Sequence, residues 1–424
     1  MTATDLQRSI DALWRIESPR VTAVLSRMLR DVGLAEDLAQ DTLLAALERW
    51  PADGMPDNPG AWLMTTAKRR GIDHLRRQKL LERKHVQLGH ELASEQEQRW
   101  ADIENAVDDR IGDDLLRLIF VACHPVLSTE ARVALTLRLL GGLSTAEIAR
   151  ACLQPEPTIA QRIVRAKRTL AGKQVAFDLP CVAELGERLG AVLEVIYLIF
   201  NEGYTATAGD DWMRPGLCEE ALRLGRVLAG LMPGEAEVHG LVALLEIQAS
   251  RSRARIDGDG RPVLLLQQNR AQWDRLLIRR GLDALERAVK TSPVGPYTLQ
   301  AMIAACHARA PSAQATDWER IVQLYDALLR LVPSPVIELN RAVAVSMASG
   351  AQAGLDLVDA LAADAALKAY HLLPSVRGDF LCKLGRMDEA GEAFRLAAAL
   401  TSNARECALL QQRATDCSRA KGRS

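Results

Sequence analysis

The sequence lacks the residue spacings that usually build metal, disulfide or catalytic sites. Its eight cysteines are scattered, with no C-x-x-C motif and no C-x-x-H pair. The motifs G-x-x-x-x-G-K-[ST], H-E-x-x-H and G-x-S-x-G, which mark phosphate-binding loops, zinc proteases and serine hydrolases, are absent. His124 and His371 stand alone in apolar, helix-like stretches, where a histidine is more often a core residue than a catalyst. We therefore expect reduced, ordinary thiols, no cofactor or metal, and no enzyme activity.

Long apolar runs are also missing. The most apolar stretch, residues 189–200, is too short to cross a bilayer and contains Glu194. The N-terminal segment MTATDLQRSIDALWR carries acidic residues and no apolar run, so it is not expected to be a secretory signal. These features predict a cytoplasmic protein that does not act at a membrane.

Strand-like alternation of β-branched or aromatic residues is scarce, whereas apolar residues recur at intervals of three and four. This periodicity predicts an all-α fold. A chain of 424 residues with 48% hydrophobic and 25% charged side chains can bury two or three domain cores. Because the formal net charge is only -1, any binding of nucleic acid must depend on local basic surfaces.

A helix-turn-helix is predicted within STAEIARACLQPEPTIAQRIVRAKR, residues 144–168. Ser144 and Glu147 form the S-x-x-E pattern of a capping box, which starts the first helix. Prolines at 155 and 157 forbid a continuous helix and predict a break at 153–157. Thr158 is placed to cap the second helix. The buried side of that helix is predicted to carry Ile159, Ile163 and Val164.

The exposed side of this second helix is strongly basic. Arginine pairs well with guanine edges and glutamine with adenine, while other cations neutralise phosphates. A second helix of this kind is typical of a recognition helix in the DNA major groove. The alternative is a solvated basic face that binds nothing. The residues concerned are Gln161, Arg162, Arg165, Lys167 and Arg168.

A second basic segment, WLMTTAKRRGIDHLRRQK, spans residues 62–79, and its only acid is Asp73. Its apolar residues recur at helical spacing, which predicts a helix with a basic exposed side. Just upstream, GLAEDLAQDTLLAALERW predicts a helix with Glu36, Asp37 and Asp41 on its surface. One domain therefore presents both an acidic and a basic helix. This combination is expected of a protein that binds another protein and DNA at the same time.

The order of these segments resembles a bacterial RNA polymerase sigma factor of the extracytoplasmic-function type. The resemblance rests on AEDLAQDTLLAALERW, PGAWLMTTAKRRGIDHLRR and LSTAEIARACLQPEPTIAQRIVRAKRTL and covers about the first 175 residues. It implies two promoter-reading domains, regions two and four, joined by a flexible linker. Region two binds the polymerase clamp and the melted minus-10 element, and region four reads the minus-35 element. Core RNA polymerase and promoter DNA are therefore the expected partners.

The resemblance also assigns residues to each partner. Arg69 stands where many family members have asparagine. The polymerase-binding set is Glu36, Asp37, Gln40 and Asp41, for which an acidic solvent face is the alternative. The minus-10 set is Trp62, Lys68, Arg69, Arg70, Asp73, His74, Arg76 and Arg77. The minus-35 set is Thr158, Gln161, Arg162, Arg165, Lys167 and Arg168.

The remainder of the chain predicts helical hairpins. Gly350 and Gly385, 35 residues apart, lie at corresponding turns, close to the period of tetratricopeptide repeats. Ala390, Phe394 and Ala398 occupy the packing positions of a second helix in such a unit. The expected domains are 1–80 (region two), 81–113 (flexible linker), 114–178 (region four) and 179–424 (a tetratricopeptide-like extension).

The segment YLIFNEGYTAT, residues 197–207, has two interpretations. Asn201, Glu202 and Tyr204 form a contact with a ligand or partner, or they stabilise the end of a helix, which we favour because no nucleophile or phosphate loop accompanies them. The whole arrangement resembles a sigma-factor subgroup with a tetratricopeptide-like extension. That resemblance implies that the extension regulates or supports sigma activity in place of a separate anti-sigma protein, through a regulatory protein or ligand.

Two other functions stay open on the sequence. One is a ligand-sensing helix-turn-helix regulator that binds operator DNA without polymerase. The other is a repeat-type scaffold whose N-terminal half recruits it to DNA. The acidic helix and the second basic segment have no purpose in a simple regulator, so the sigma-factor interpretation accounts for more of the sequence.

Overall fold

The structure is a computed structural model. It describes residues 3–85, 111–152, 154–206, 208–209, 212–258, 260–291 and 293–421. Most of the predicted linker therefore lies outside the described residues. The chain divides into two compact units, Met1–Ile196 and Tyr197–Ser424.

The described residues confirm the predicted all-α class. Strand is limited in them to the short parallel pairing of β1, Ala208–Gly209, with β2, Ser402–Asn403. No helix in the described ranges combines the length and apolarity needed to span a bilayer. The helices are α1 Ala3–Leu29, α2 Val32–Asp53, α3 Pro59–His85, α4 Ile111–Ala122, α5 Thr129–Leu139, α6 Thr145–Cys152, α7 Glu156–Gly172, α8 Val182–Tyr204, α9 Pro215–Leu231, α10 Ala236–Ala249, α11 Arg275–Thr291, α12 Pro296–Arg309, α13 Trp318–Leu331, α14 Pro335–Ser349, α15 Ala351–Leu361, α16 Leu372–Lys383, α17 Met387–Leu400 and α18 Ala404–Lys421.

Helices α1 to α3 enclose one apolar core in the first unit. Trp50 at the end of α2 is 2% exposed and packs edge-to-face on Trp62 of α3, with ring centroids 5.3 Å apart. Leu63 and Ala67 of α3 are buried on the same side, as the helical spacing predicts. This packing turns the basic side of α3 outward.

Helices α6 and α7 form the predicted helix-turn-helix. The Glu147 carboxylate accepts hydrogen bonds from the Ser144 backbone N–H and hydroxyl, at 2.8 and 2.9 Å. The Ser144 hydroxyl in turn accepts the Glu147 backbone N–H at 3.2 Å. These reciprocal bonds are a capping box. Helix α6 ends at Cys152 and α7 begins at Glu156, so the helix is interrupted before Pro155 as predicted. The interruption is shorter than the predicted 153–157, because Pro157 lies in the first turn of α7, where proline is tolerated.

Two details of α7 were predicted wrongly. Thr158 lies inside the helix rather than at its cap, because the chain enters α7 at Pro155, which makes no side-chain cap hydrogen bond. Val164 is 44% exposed. The buried stripe continues along Ile159, Ile163, Ala166 and Leu170, so the helix turns Val164 away from the core.

The second unit is built from antiparallel helical hairpins, including α14 with α15 and α16 with α17. Gly350 joins the first pair and Gly385 the second, both at positive φ. Ala390, Phe394 and Ala398 are buried in the core of α17, as predicted. A cluster with Leu339, Leu355 and Phe380 makes the two hairpins one continuous core.

Candidate nucleic-acid interface

Helix α7 presents most of the predicted minus-35 set to solvent. Thr158, Gln161, Arg165 and Arg168 are exposed, and Arg162 is half-buried. Hydrogen bonds from its own backbone N–H and from Ser128, together with the nearby charge of Arg162, lower the pKa of Glu130. Arg162 therefore has an acidic neighbour, whereas Arg165 and Arg168 extend into solvent.

Lys167 is the member of this set that points elsewhere. Its side chain is 19% exposed, and its Nζ lies 2.5 Å from Glu36 Oε2 and 3.8 Å from Asp37 Oδ1 of α2. In this conformation Lys167 binds the acidic helix rather than facing solvent with Arg165 and Arg168.

The residues of the predicted minus-10 set on helix α3 differ in their exposure to solvent. Arg69, Asp73, Arg76 and Arg77 are exposed. Trp62, Lys68, Arg70 and His74 are half-buried. Arg70 Nη1 lies 3.7 Å from Asp41 Oδ2, which links the basic helix to the acidic one within the same domain.

The predicted polymerase-binding residues of α2 also differ in exposure. The Asp37 and Asp41 side chains are 73% and 51% exposed. The Glu36 side chain is only 8% exposed, because Arg138 Nε of α5 lies 2.5 Å from Oε1 and Lys167 covers Oε2. Gln40 donates a 2.7 Å hydrogen bond to Glu36 Oε1 from the next turn. Half of this acidic face is thus open and half is covered.

Comparison with protein-family models matches three parts of the chain. A Sigma-70 region 2 model matches residues 13–80, which contain α2 and most of α3. A Sigma-70 region 4 model matches residues 117–170, which contain the helix-turn-helix. A family of unknown function, DUF6596, matches residues 188–289.

Comparison with individual proteins finds an uncharacterised relative over nearly the whole chain and sigma factors over about a third of it. An uncharacterised protein of Rhizobium meliloti is 43% identical over 394 residues, which are 93% of this chain and 92% of that protein. The ECF RNA polymerase sigma factor SigC of Mycobacterium tuberculosis is 32% identical over 155 residues, 36% of this chain and 76% of SigC. SigK of Mycobacterium sp. strain KMS is 29% identical over 170 residues, 37% of this chain and 80% of SigK. The chain belongs to the extracytoplasmic-function family of RNA polymerase sigma factors.

This sigma factor carries a helical C-terminal extension beyond its two sigma regions. Within the extension, Glu202 forms an ion pair with Arg214. Tyr204 lies under Arg255, whose Cζ is 3.4 Å from the ring centroid. Arg255 also donates hydrogen bonds to the Tyr204 carbonyl and, at 2.9 Å, to the Thr205 hydroxyl. These contacts anchor the end of α8.

Asn201 has a similar local contact. Burial raises the pKa of Tyr197, and a hydrogen bond with the Asn201 side chain opposes that shift. The three residues that the sequence singled out are thus tied to neighbours in their own unit. Their role as a ligand or partner contact stays a prediction.

Sequence reasoning missed the residues of the sigma factor that join its two regions. Arg138 and Arg15 reach Glu36 and Glu147 across 102 and 132 residues of sequence. Neither arginine belongs to a motif, so no local spacing indicated these pairs. An arginine next to an apolar helical stripe, as Arg138 is in LRLL, was the only available signal.

Proposed function

We propose that this sigma factor docks on core RNA polymerase through the acidic face of α2, reads the minus-10 element with α3 and the minus-35 element with α7, and is regulated through its C-terminal extension. The observation that carries the proposal is the capped helix-turn-helix of α6 and α7. Its second helix directs Gln161, Arg165 and Arg168 outward on a rigid element. Side chains fixed in this way are suited to base edges and phosphates in a major groove.

The polymerase contact is supported by the exposure of Asp37 and Asp41. Two carboxylates on one side of a helix can meet a basic surface on a partner and steer its approach. Helices α2 and α3 share one apolar core, in which Trp50 packs on Trp62, so the acidic and basic helices of region two are held in a fixed relation. Docking through α2 therefore sets the position of α3.

The minus-10 contact is supported by the charge and packing of α3. Arg69, Arg76 and Arg77 are exposed and can follow the phosphates of a single strand. Trp62 is half-buried against Trp50, which leaves part of its ring for a base that has left the stack. Asp73 is exposed on the same helix and disfavours phosphate at that point.

The test is reconstitution with purified core polymerase. The full chain is mixed with core polymerase, and transcription is measured on a library of genomic fragments, with the start sites read by sequencing. Starts that share two spaced elements and require the chain support the proposal. Tight binding to duplex DNA without polymerase, and no dependent transcripts, would instead support a helix-turn-helix regulator.

Charge reversal tests whether the acidic face of α2 binds core polymerase. Asp37→Arg is expected to weaken core binding, because it places a cation on the docking face. Asp57→Arg is the matched control, since Asp57 is exposed but lies in the turn before α3. Equal losses in both variants would show that net charge, and not the acidic face, governs binding.

The regulatory part of the proposal has its own comparison. The matches to SigC and SigK cover 76% and 80% of those sigma factors but only 36% and 37% of this chain, so most of a sigma factor of that size corresponds to little more than a third of this chain. The full chain is compared with a chain that ends at residue 196, and transcripts are counted per bound polymerase. Identical yields would reject regulation through the extension and leave promoter recognition intact.

A further inference from the structure

The loop that joins α10 to α11 brings three arginines of the second unit into one arginine cluster. Arg251 and Arg255 are only 9% and 7% exposed, and Arg270 is half-buried. The Asp274 backbone N–H donates a 2.8 Å hydrogen bond to the Ser250 carbonyl, which joins the two ends of the loop. Long ordered connections between helices are usually functional, so the cluster is a candidate site.

Aromatic rings fix the positions of the three guanidinium groups. Arg255 Cζ lies 3.4 Å from the centre of the Tyr204 ring, and Arg270 Cζ lies 4.8 Å from the centre of the Trp273 ring. Arg251 Cζ lies 5.9 Å from each of these rings, so Arg251 links the other two arginines. Cation–π attraction contributes to this arrangement but leaves its positive charge unchanged.

The charge of the arginine cluster is not offset by an acid. Within the described residues, none of the three arginines forms an ion pair with Asp or Glu. The hydrogen bonds of Arg255 and Arg270 go to neutral carbonyl and hydroxyl oxygens. The Arg251 side chain has no hydrogen bond within the described part of the chain, and its Nε is buried. Buried charges of one sign are unfavourable unless an anion offsets them.

Arg251 repels both other arginines and the nearby His307. Burial lowers the pKa of Arg270, and the charge of Arg251 adds to this shift. The same two causes lower the pKa of Arg255. Burial, and then the charges of Arg251 and Arg270, lower the pKa of His307 to about 4, so this ring is neutral at neutral pH.

Three buried polar atoms around these cations lack a hydrogen-bond partner among the described residues. They are Arg251 Nε, Trp273 Nε1 and His307 Nδ1. Buried polar atoms without a partner are rare, and each calls for an explanation such as a bound water or ion. Water could accept these hydrogen bonds, but it would not offset the positive charge.

We propose that the arginine cluster, together with Trp273 and His307, binds a small oxyanion, which is a carboxylate or a phosphate group. A guanidinium group presents parallel N–H donors that match the oxygens of either group. The indole N–H of Trp273 adds a donor without adding charge. An anion at this position offsets the repulsion among the three arginines.

A cavity next to the cluster gives such an anion access from solvent. Trp273 and Ala254 line this cavity, which has a volume of about 740 Å³. Its carboxylates, Asp257 and Asp274, accept backbone N–H groups. Binding of the oxyanion is a property of the free chain, whereas its role as the ligand that regulates sigma activity rests on the proposed function.

The first experiment measures thermal unfolding of the full chain in sodium phosphate, sodium acetate and sodium chloride at equal ionic strength and pH. At roughly 100 times its Kd, the oxyanion that fits the site is expected to raise the unfolding temperature by about 5 °C relative to chloride. A larger rise in phosphate identifies a phosphate ligand, and a larger rise in acetate identifies a carboxylate. Equal unfolding temperatures in all three salts would overturn the proposal.

Arg251→Met tests the unpartnered charge. In chloride the variant is expected to unfold at a higher temperature than the unchanged chain, because an apolar side chain replaces a buried charge, and it should lose the additional rise in the oxyanion. Arg253→Met is the matched control, since Arg253 is exposed in the turn that follows Arg251, and it should keep that rise. A rise that persists in Arg251→Met is a general effect of the salt and would overturn the proposal.

A second measurement needs no substitution at the cluster. Titration calorimetry of the full chain is expected to give one bound oxyanion per chain. Carbon-13 labelling of histidine reports the ring resonances of His307 and of His239, which is also buried but binds the Pro233 carbonyl. The His307 resonances should shift as the oxyanion saturates, while those of His239 stay in place. Saturable binding that leaves the His307 resonances unchanged would place the site elsewhere and overturn the proposal.

Transcription separates the site from the proposed function. Transcripts from reconstituted core polymerase are counted with and without the oxyanion that binds. A change in the unchanged chain that is absent in Arg251→Met supports regulation through this site. Oxyanion binding by a chain that gives no polymerase-dependent transcripts would reject the proposed function and keep the site. Sigma activity in a chain that binds neither phosphate nor acetate would reject the site and keep the function.

Discussion

Gly350 and Gly385 occupy the same place in two successive hairpins, and both adopt positive φ, +101° and +77°. A Cβ at either position would meet no atom within 4 Å. The requirement for glycine is therefore a matter of backbone conformation rather than of space. Gly350, with φ +101° and ψ +157°, lies in a region that is essentially reserved for glycine.

Alanine at either turn is expected to destabilise the second unit. Gly350→Ala and Gly385→Ala should each lower the free energy of unfolding by about 1–2 kcal/mol, the cost of forcing a side chain into such a conformation. Gly230→Ala is the opposite control. Gly230 lies in α9 with open space around it, so alanine should raise the free energy of unfolding by up to about 1 kcal/mol. Urea titration measures all three, and a decrease in the control would contradict the explanation.

A second prediction concerns Glu237, whose carboxylate caps a neighbouring helix. It accepts backbone N–H groups of Gly295, Tyr297 and Thr298 at 2.7 to 3.1 Å, and the Thr298 hydroxyl at 2.5 Å. These donors lie at the N-terminus of α12, from Gly295 before the helix to Thr298 in its first turn, where an anion is favoured. Glu237→Ala leaves them unpaired and should cost about 3 kcal/mol of unfolding free energy.

The control for this cap is Glu235→Ala. Glu235 precedes α10 and makes no side-chain cap hydrogen bond. Its removal should change the free energy of unfolding by less than about 0.5 kcal/mol. If the two variants unfold at the same denaturant concentration, the cap is not stabilising.

Local signals predicted much of the fold. The S-x-x-E pair at Ser144, the prolines at 155 and 157 and the glycines at 350 and 385 all act within a few residues, so their effect can be predicted from the sequence. The sequence does not decide which side of α7 faces the core, because Ile163 and Val164 are adjacent and equally apolar. Only the packing of Ala166 and Leu170 decides between them.

Contacts between residues far apart in the sequence could not be predicted. Each candidate site residue was assigned to a helix face, but the partner of that face depends on tertiary packing. Glu36 was expected on an open acidic surface and Lys167 on an open basic one, whereas they meet in the first unit. Arg255, which stacks on Tyr204 from 51 residues away, belongs to no motif.

A third prediction concerns the response of the second unit to acid. Burial, and then the charges of Arg251 and Arg270, lower the pKa of His307 from 6.5 to about 4. The unfolded chain therefore takes up a proton on this histidine before the folded chain does. Stability from neutral His307 is fully present above pH 6.5 and is lost as the pH falls from 6.5 towards 4.

At pH 4 this loss should approach about 3 kcal/mol, because each pKa unit corresponds to about 1.4 kcal/mol. His307→Phe keeps a ring against Trp318, whose centroid is 5.1 Å away, but cannot be protonated. Unfolding free energies of both chains are compared at pH 7, 5.5 and 4.5. Their difference should shift in favour of the variant as the pH falls, and a constant difference would contradict the assignment.

The last prediction separates base recognition from phosphate binding on α7. Arg165 and Arg168 are both exposed, and the structure holds them on one rigid helix. When alanine replaces an arginine that binds a phosphate, promoter affinity falls on every sequence and the slope of log affinity against log salt decreases by about 1. When it replaces an arginine that binds a base, the cost is about 1–3 kcal/mol at the cognate base pair, so preference is relaxed there. We expect Arg165→Ala to relax preference at one minus-35 position, because Arg165 lies nearer than Arg168 to the N-terminal part of the helix, which contacts base edges in helix-turn-helix proteins. Arg168→Ala is expected to act mainly on the salt slope. The affinity of the reconstituted holoenzyme is measured over a salt range on the promoter and its single-base variants.

The control is Arg330→Ala, at an exposed arginine of the second unit, which should change neither the base preference nor the salt slope. Binding to core polymerase should be unaffected in all three variants. If Arg165→Ala leaves both affinity and preference unchanged, α7 is not the helix that reads this element.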